Sequence, residues 1–407
     1  MRSYRHLFRT PEFTPLFLSS SARRVAQAMS GLALGTLVYR TTGSPLLSAV
    51  SMFGPSLAQV LGATLLLSGA DRLPPRAMIT GVALAFAAGT AVLALPGLPV
   101  WALFTVVLAE GLVASLGGGV LWGLLNEILA KEGYLLGRSV FNMMGGLMQI
   151  TGYATGGALL AALSPRTCLL LAAALYVLAA ATARLGLTPR PPRAQGRPSV
   201  RTTWRTNARL WSSGPRRRLY LALWIPNGLI VGCESLYVSY APHDAGTLFA
   251  CAALGMFVGD VAVGRLVPPA SRPRLGVPLL LLLAVPYLLF ALGPALPSAV
   301  AAVTVTVASV GFGASLVQQE RLMTLVPDEL TGHALGLHSA GMLTFQGVSA
   351  SLAGMTAQLT SPATGMTVMA AASVTVTLAL AATGRRRAPD SAPAPEHGPL
   401  PRHTVAD

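Results

Sequence analysis

Apolar runs of nearly twenty residues, separated by short stretches rich in Arg, Pro and Gly, recur along almost the whole of this 407-residue chain. A helix rising about 1.5 Å per residue needs about that length to cross a hydrocarbon layer of about 30 Å. Each run is therefore read as a spanning helix. Composition supports this, because 53% of the residues are apolar and only 11% charged, against about 25% charged in soluble proteins.

Bounding the runs by charge, proline and glycine gives twelve expected spans, at 15–39, 45–69, 76–96, 99–126, 138–163, 166–187, 219–241, 246–267, 276–296, 298–322, 333–358 and 362–383. The stretch from Thr188 to Arg218 is rich in Arg and Pro and reads as a linker. The expected organisation is an N-terminal six-helix half over 1–187, a linker over 188–218, a C-terminal half over 219–384, and a disordered tail over 385–407. The tail is too rich in Pro and Ala to bury a core.

The formal charge of +15 would suit a nucleic-acid binder. Its distribution does not, since the arginines sit in short segments between apolar runs and form no groove-sized basic face. Counting connections in order, Arg40 and Arg166 are the only basic residues on odd-numbered loops, which places both termini and the linker in the cytoplasm. The odd loops are too short for an extracellular domain. The first apolar run is broken by Ser19–Ser21 and by Arg23 and Arg24, so it reads as a retained span, not a cleaved signal. Cys168, Cys233 and Cys251 are odd in number, fall inside apolar runs and read as free thiols.

The chain also repeats itself. Leu61-Gly62 precedes Arg72 by the spacing with which Leu254-Gly255 precedes Arg265, and the same offset carries Asn126-Glu127 onto Gln319-Glu320. After a short insertion Gly152 maps onto Gly347. Parallel repeats of this kind place a substrate near the midplane between halves.

Charges inside a bilayer are costly, so each one in a span is a candidate site. Arg23 and Arg24 lie about 11–12 Å into the first span, and at about 100° per residue they are not expected to face one cavity together. Glu110 lies about 16 Å into the fourth span, and Glu234 is the corresponding acid in the second half. Each could carry a proton or hold a fixed ion pair, as with Arg23 or Arg24. Trp122, Gln149, Trp224, Asn227 and Tyr237 are cavity candidates that packing would explain equally well. His338 is expected to be a hydrogen-bonded structural residue, and Glu127, Glu320 and Arg321 to be solvated at helix ends. Gly152, Gly156 and Gly157 suit close helix packing. No phosphate loop, zinc spacing or nucleophile elbow is present, so neither an enzyme nor an ATP-driven pump is indicated and no cofactor or metal is expected.

Gly69-Ala70-Asp71-Arg72 with Arg76 resembles the signature loop that follows the second helix of the major facilitator superfamily, with Pro74 and Pro75 as departures. Gly152-Tyr153-Ala-Thr-Gly156-Gly157 resembles its exporter motif with Tyr for Pro, and Val326 to His333 a loop of its drug-efflux and permease branches. The resemblance implies an all-α membrane protein of twelve transmembrane helices in two pseudo-symmetric six-helix bundles. It further implies a cytoplasmic gate of Asp71, Arg72, Arg76, Asp260 and Arg265, and a cavity reached by Arg23, Arg24, Glu110 and Glu234. The expected function is proton-coupled efflux of a small amphipathic or hydrophobic compound by a monomer in the inner membrane. The alternatives are a metabolite importer or uniporter, and a receptor or assembly partner without flux.

Overall fold

A computed structural model of the chain describes residues 4–65, 74–191 and 200–385. Its helices are α1 (Tyr4–Arg9), α2 (Phe13–Thr42), α3 (Pro45–Leu65), α4 (Pro75–Leu93), α5 (Val100–Ala162), α6 (Pro165–Gly186), α7 (Val200–Ser212) and α8 (Gly214–Glu234). They continue as α9 (Tyr237–Tyr240), α10 (Ala245–Val261), α11 (Arg272–Ala284), α12 (Ser298–Val310), α13 (Ala314–Thr324), α14 (Thr331–Leu359) and α15 (Pro362–Arg385). Short π and 3-10 segments at Ala262–Leu266, Val285–Ala295 and Gly311–Gly313 extend α10, α11 and α12, and no strand occurs among the described residues.

Proline and serine punctuate these helices for local reasons. Proline at a first helical turn lacks an N–H that would have no intrahelical partner there, and it opens α4 and α6. Ser164 Oγ accepts from the Thr167 N–H at 3.1 Å, and Ser361 Oγ accepts from the Thr364 N–H at 3.1 Å. The same Ser-Pro-x-Thr cap thus starts α6 and α15, one helix in each part of the chain. At the end of α2, Gly43 takes φ 66° and returns its N–H to Tyr39 O. That left-handed turn favours glycine.

The sequence reads two spans where the structure has the single 63-residue helical segment α5. A straight helix would hold residues 122 and 141 about 28 Å apart. The rings of Trp122 and Phe141 nevertheless lie 6.4 Å apart, and the Arg138 guanidinium sits 5.4 Å above the Trp122 ring. The chain therefore folds back between those rings, and α5 is two antiparallel arms, as expected.

Helices before the linker pack on one another, α2 against α5 and α6, and α3 and α4 against α5. Those after it form a second group, with α8 against α14 and α15, α10 against α12, and α11 against α13 and α15. The groups meet along α3–α14 and α5–α10. The repeat is visible in the packing. A side chain on Gly62 would strike Ser115 and the Leu112 carbonyl of α5, and one on Gly255 the Thr306 carbonyl and Ser309 of α12. The proposed match of Gly152 with Gly347 does not extend to packing, because Gly152 faces Val25 and Ala28 of its own group and Gly347 faces Leu57 of the other.

Nine segments among the described residues are long and apolar enough to cross a membrane. Helices α2, α14 and the second arm of α5 complete the expected set in length but are not among those nine. The linker holds a feature the sequence reading passed over, the helix α7. It docks through Leu210, which is buried, and Trp211, whose ring stacks 5.4 Å from Trp224 at 9°.

Candidate functional site

Between the two groups lies a cavity with two joined lobes of about 690 and 390 Å³, which share Arg24, Gln149, Ala253, Met256 and Asp260. The wider lobe reaches Arg138 and Arg265, at the end of the bundle that carries α7. The narrower lobe ends among Phe53, Tyr153, Asn227, Glu234 and Phe249.

Each wall follows from a helical stripe. On the second arm of α5, Arg138, Asn142, Gly145, Gln149 and Tyr153 recur at intervals of three or four and line one face. On α10, Phe249, Ala253, Met256 and Asp260 do the same. Helix α2 contributes Arg23 and Arg24, and α8 contributes Asn227 and Glu234. Tyr153 stacks on Phe249 across the boundary between groups, with centroids 4.8 Å apart, and it lies within electrostatic reach of both Arg24 and Glu234.

Charge is distributed asymmetrically. Arg23, Arg24 and Arg138 come from the N-terminal group, whereas Glu234 and Asp260 come from the C-terminal one, with Arg265 at the mouth. Glu234 is 7% exposed, and its Oε1 is buried without a hydrogen-bond partner. Such an atom is costly unless it takes a proton or meets a ligand.

Away from α7 the cavity is closed by contacts between groups. Ser44 Oγ donates to Gln358 Oε1 at 2.7 Å, and the Tyr39 hydroxyl donates to Ser239 O at 3.5 Å. Gly157 of α5 meets Gly246 of α10 backbone to backbone, so that a Cβ on Gly157 would lie 2.7 Å from the Gly246 Cα. Gly152 and Gly156 seat α5 on Val25, Ala28 and Met29 of α2. All three glycines are packing positions.

Several expected site residues lie elsewhere. Glu110 does not reach the central cavity. It borders a separate cavity of about 120 Å³ inside the N-terminal group, with Gln27, Ser51 and Tyr176, and accepts from Thr90 Oγ1 at 3.3 Å. The reason is angular, because Trp122, which does line the central cavity, is twelve residues on and about 120° away around the helix. No ion pair joins Glu110 to Arg23 or Arg24 among the described residues. The two arginines, conversely, both line the wide lobe, their long side chains reaching it from either flank of α2.

Trp224 belongs to the aromatic stack that seats α7, with Trp211, Tyr220 and Phe345. Tyr237 is fully buried, hydrogen-bonded to the Tyr287 hydroxyl. Its ring meets Phe249 edge-on at 4.9 Å. His338 is buried with Nδ1 unpartnered, not hydrogen-bonded there as expected. Of the expected gate, Asp71 and Arg72 lie outside the described residues, Arg76 is half-buried at the start of α4, and Asp260 and Arg265 line the cavity. An Arg265 N–H also approaches Met143 Sδ of the other group at 3.6 Å.

Glu127 and Glu320, expected as solvated charges at helix ends, are both exposed, and each also meets an arginine. Glu127 meets Arg190 at 3.5 Å and Glu320 meets Arg272 at 3.5 Å. Arg190 also forms a two-pronged pair with Glu12, at 2.7 and 2.9 Å, and Thr188 donates to the same carboxylate. Burial alone would raise the Glu12 pKa, but these hydrogen bonds and the Arg190 charge hold it below the ordinary carboxylate value. Glu12 accepts φ 68° at the start of α2 to make them. Nothing in the sequence marks that residue except its position just before the first span.

Solved structures share this architecture. The nucleoside transporter NupG superposes with a TM-score of 0.72 at 16% identity, covering 91% of this chain and 98% of its own. A POT family transporter in complex with 5-aminolevulinic acid gives 0.72 at 12% identity, covering 92% and 96%. A bacterial homologue of the human lysosomal transporter Spinster, inward-facing and unoccupied, gives 0.66 at 15%, covering 91% and 94%. No curated protein sequence matches the chain. The Major Facilitator Superfamily sequence model matches residues 16–320. With helices, repeat and central cavity in agreement, this chain belongs to the Major Facilitator Superfamily and is a multi-pass membrane transporter.

Proposed function

We propose that the chain is a proton-coupled secondary transporter that exports a small amphipathic compound by alternating access. In this reading all twelve helices cross the inner membrane, residues 1–187 and 219–384 are the two moving halves, and the termini and α7 face the cytoplasm. The observation that carries it is the buried, unpartnered carboxylate of Glu234 at the closed end of a cavity whose opposite wall holds Arg24. A carboxylate oxygen without a donor there calls for a proton or a ligand. Opening the cavity to water supplies donors instead, so proton release becomes tied to the conformational change.

The remaining lining suits an amphipathic substrate. Arg23 and Arg24 attract an anionic or strongly polar end, while Phe53, Tyr153, Phe249, Met256 and Phe257 offer an apolar surface. Closure at the Gly157–Gly246 and Ser44–Gln358 contacts, with Arg138 and Arg265 at a mouth beside α7, corresponds to an inward-facing arrangement. A second reading, uptake of a polar metabolite, draws on the number of charged side chains in the same cavity and on neighbours named as nucleoside and peptide transporters.

Purified protein in liposomes under an imposed pH gradient tests the proposal. Proton-driven flux of amphipathic compounds is expected from the wild type and its loss from Glu234→Gln. Undiminished flux in that variant removes the coupling assignment. Ligand-dependent thermal stabilisation without flux in any gradient indicates a receptor instead, and the direction of accumulation separates export from uptake.

A further inference from the structure

A cavity of about 640 Å³ lies in the C-terminal group, bordered by α8, α11, α13 and α15, and shares no lining residue with the central one. Arg218, Arg274 and Arg321 line it, and among the described residues no Asp or Glu does. The neighbouring Glu320 turns to Arg272 instead, at 3.5 Å. Arg218 gives one N–H to Thr383 O at 3.2 Å, and Arg274 and Arg321 are exposed. Three cations thus surround one opening without a counter-charge among the described residues that line it.

The opening has a definite depth. The three arginines lie within about 6 Å of the ends of their membrane-length segments, at 1.5 Å per residue. Ala222, Leu280, Gln318 and Thr377 lie about 9–12 Å from those ends. The lining therefore runs from a basic rim at the membrane surface to an apolar interior at the depth of upper acyl chains. In that interior Gln318 Oε1 and Thr377 Oγ1 are buried with no partner, on residues 5% and 2% exposed. Thr377 Oγ1 can donate its O–H to an ester oxygen, whereas Gln318 Oε1 only accepts and calls for a hydroxyl donor such as that of a polyol headgroup.

A soluble anion would satisfy the rim and leave the apolar interior empty, and a neutral apolar molecule would do the reverse. We propose that this cavity binds an anionic phospholipid, with its phosphate held by Arg218, Arg274 and Arg321 and an acyl chain running along Leu219, Leu280 and Leu380. Guanidinium groups match phosphate oxygens in pairs, and basic pockets between membrane helices are suited to acidic headgroups. The lipid would brace α8, whose other end carries Glu234. It would therefore act on the moving half without entering the transport path.

Full-length protein, delipidated in a neutral detergent, is titrated with dioleoyl phosphatidylglycerol, dioleoyl phosphatidylcholine or inorganic phosphate, and followed by native mass spectrometry and thermal unfolding. Phosphatidylglycerol is expected to be retained and to raise the melting temperature, while phosphatidylcholine and phosphate do neither. Arg274→Gln with Arg321→Gln, both on exposed side chains, is expected to weaken retention by about tenfold or more, the scale of one lost charge-assisted contact. Ala222→Phe, which fills the interior and keeps every arginine, is expected to abolish it. Equal binding of the two lipids, stabilisation by phosphate alone, or undiminished retention in either variant overturns the proposal.

Discussion

The two groups of helices each hold a carboxylate within a span, Glu110 half-buried and Glu234 buried, and the two live in different surroundings. Glu110 faces inward within its own group, where Thr90 bonds it at 3.3 Å and Gly89 leaves room for its side chain. Glu234 faces the seam, with a buried oxygen that has no partner and with Arg24 and Tyr153 of the other group around the same lobe. When rigid groups rock, partners within one group travel together, whereas partners across a seam separate. Burial alone therefore does not qualify an acid for coupling, and position relative to the moving boundary does.

The largest expected effect separates these two acids. Glu234→Gln keeps shape and removes ionisation, and loss of a proton-dependent step worth about 2–3 kcal/mol corresponds to about 30–160-fold in rate. Glu110→Gln keeps the Thr90 contact and is expected to change flux less than about threefold, under 1 kcal/mol. Initial rates of pH-driven transport in liposomes measure both. Equal losses in the two variants would break the contrast between seam and interior.

Which parts of this contrast could be read from the sequence follows from what periodicity encodes. Spans were legible because a backbone in lipid must close its own hydrogen bonds, and the repeat was legible at Gly62 and Gly255 because close helix contact excludes a side chain there. The direction of Glu110 was not, since membership of a cavity-lining helix says nothing of the face. Its angle from Trp122 would have helped only once Trp122 was known to line the cavity. The α5 stripe from Arg138 to Tyr153 was available in the spacing but was eclipsed by the glycine motif that overlaps it. Trp224 could not be assigned without α7, whose Trp211 is its stacking partner.

Glycines on α5 sharpen the same boundary at a smaller expected effect. Gly157 faces the other group at the Gly246 backbone, whereas Gly152 faces α2 of its own. A valine at either site meets backbone that cannot swing aside, and overpacking costs about 1–3 kcal/mol. In Gly157→Val that cost falls on the closed seam, so the open arrangement is expected to gain by about tenfold. Gly152→Val is expected to lower thermal stability and leave that balance alone. Labelling of a cysteine introduced at Gln149, applied separately from each side of the membrane, reads the balance. An unchanged labelling ratio in Gly157→Val would mean that the contact does not control access.

The smallest expected effect concerns the corners beside the linker, where the groups also differ. In the N-terminal group Glu12 closes the corner, bonded to Arg190 and Thr188. In the C-terminal group the corner cavity has arginines and, among the described residues, no acid. Because the folded-state pKa of Glu12 lies below its unfolded value, its contribution is fully present above the unfolded carboxylate range, near pH 4.3, and disappears as pH falls through the folded value. Glu12→Gln is therefore expected to destabilise the protein at pH 7 by about 1 kcal/mol, or about 2 °C in detergent, given partial exposure of the pair. That gap should narrow once pH drops below the unfolded carboxylate value. Thermal unfolding of both proteins between neutral and strongly acidic pH measures it, and a gap independent of pH would show that hydrogen bonding to Thr188, with no charge involved, holds the corner.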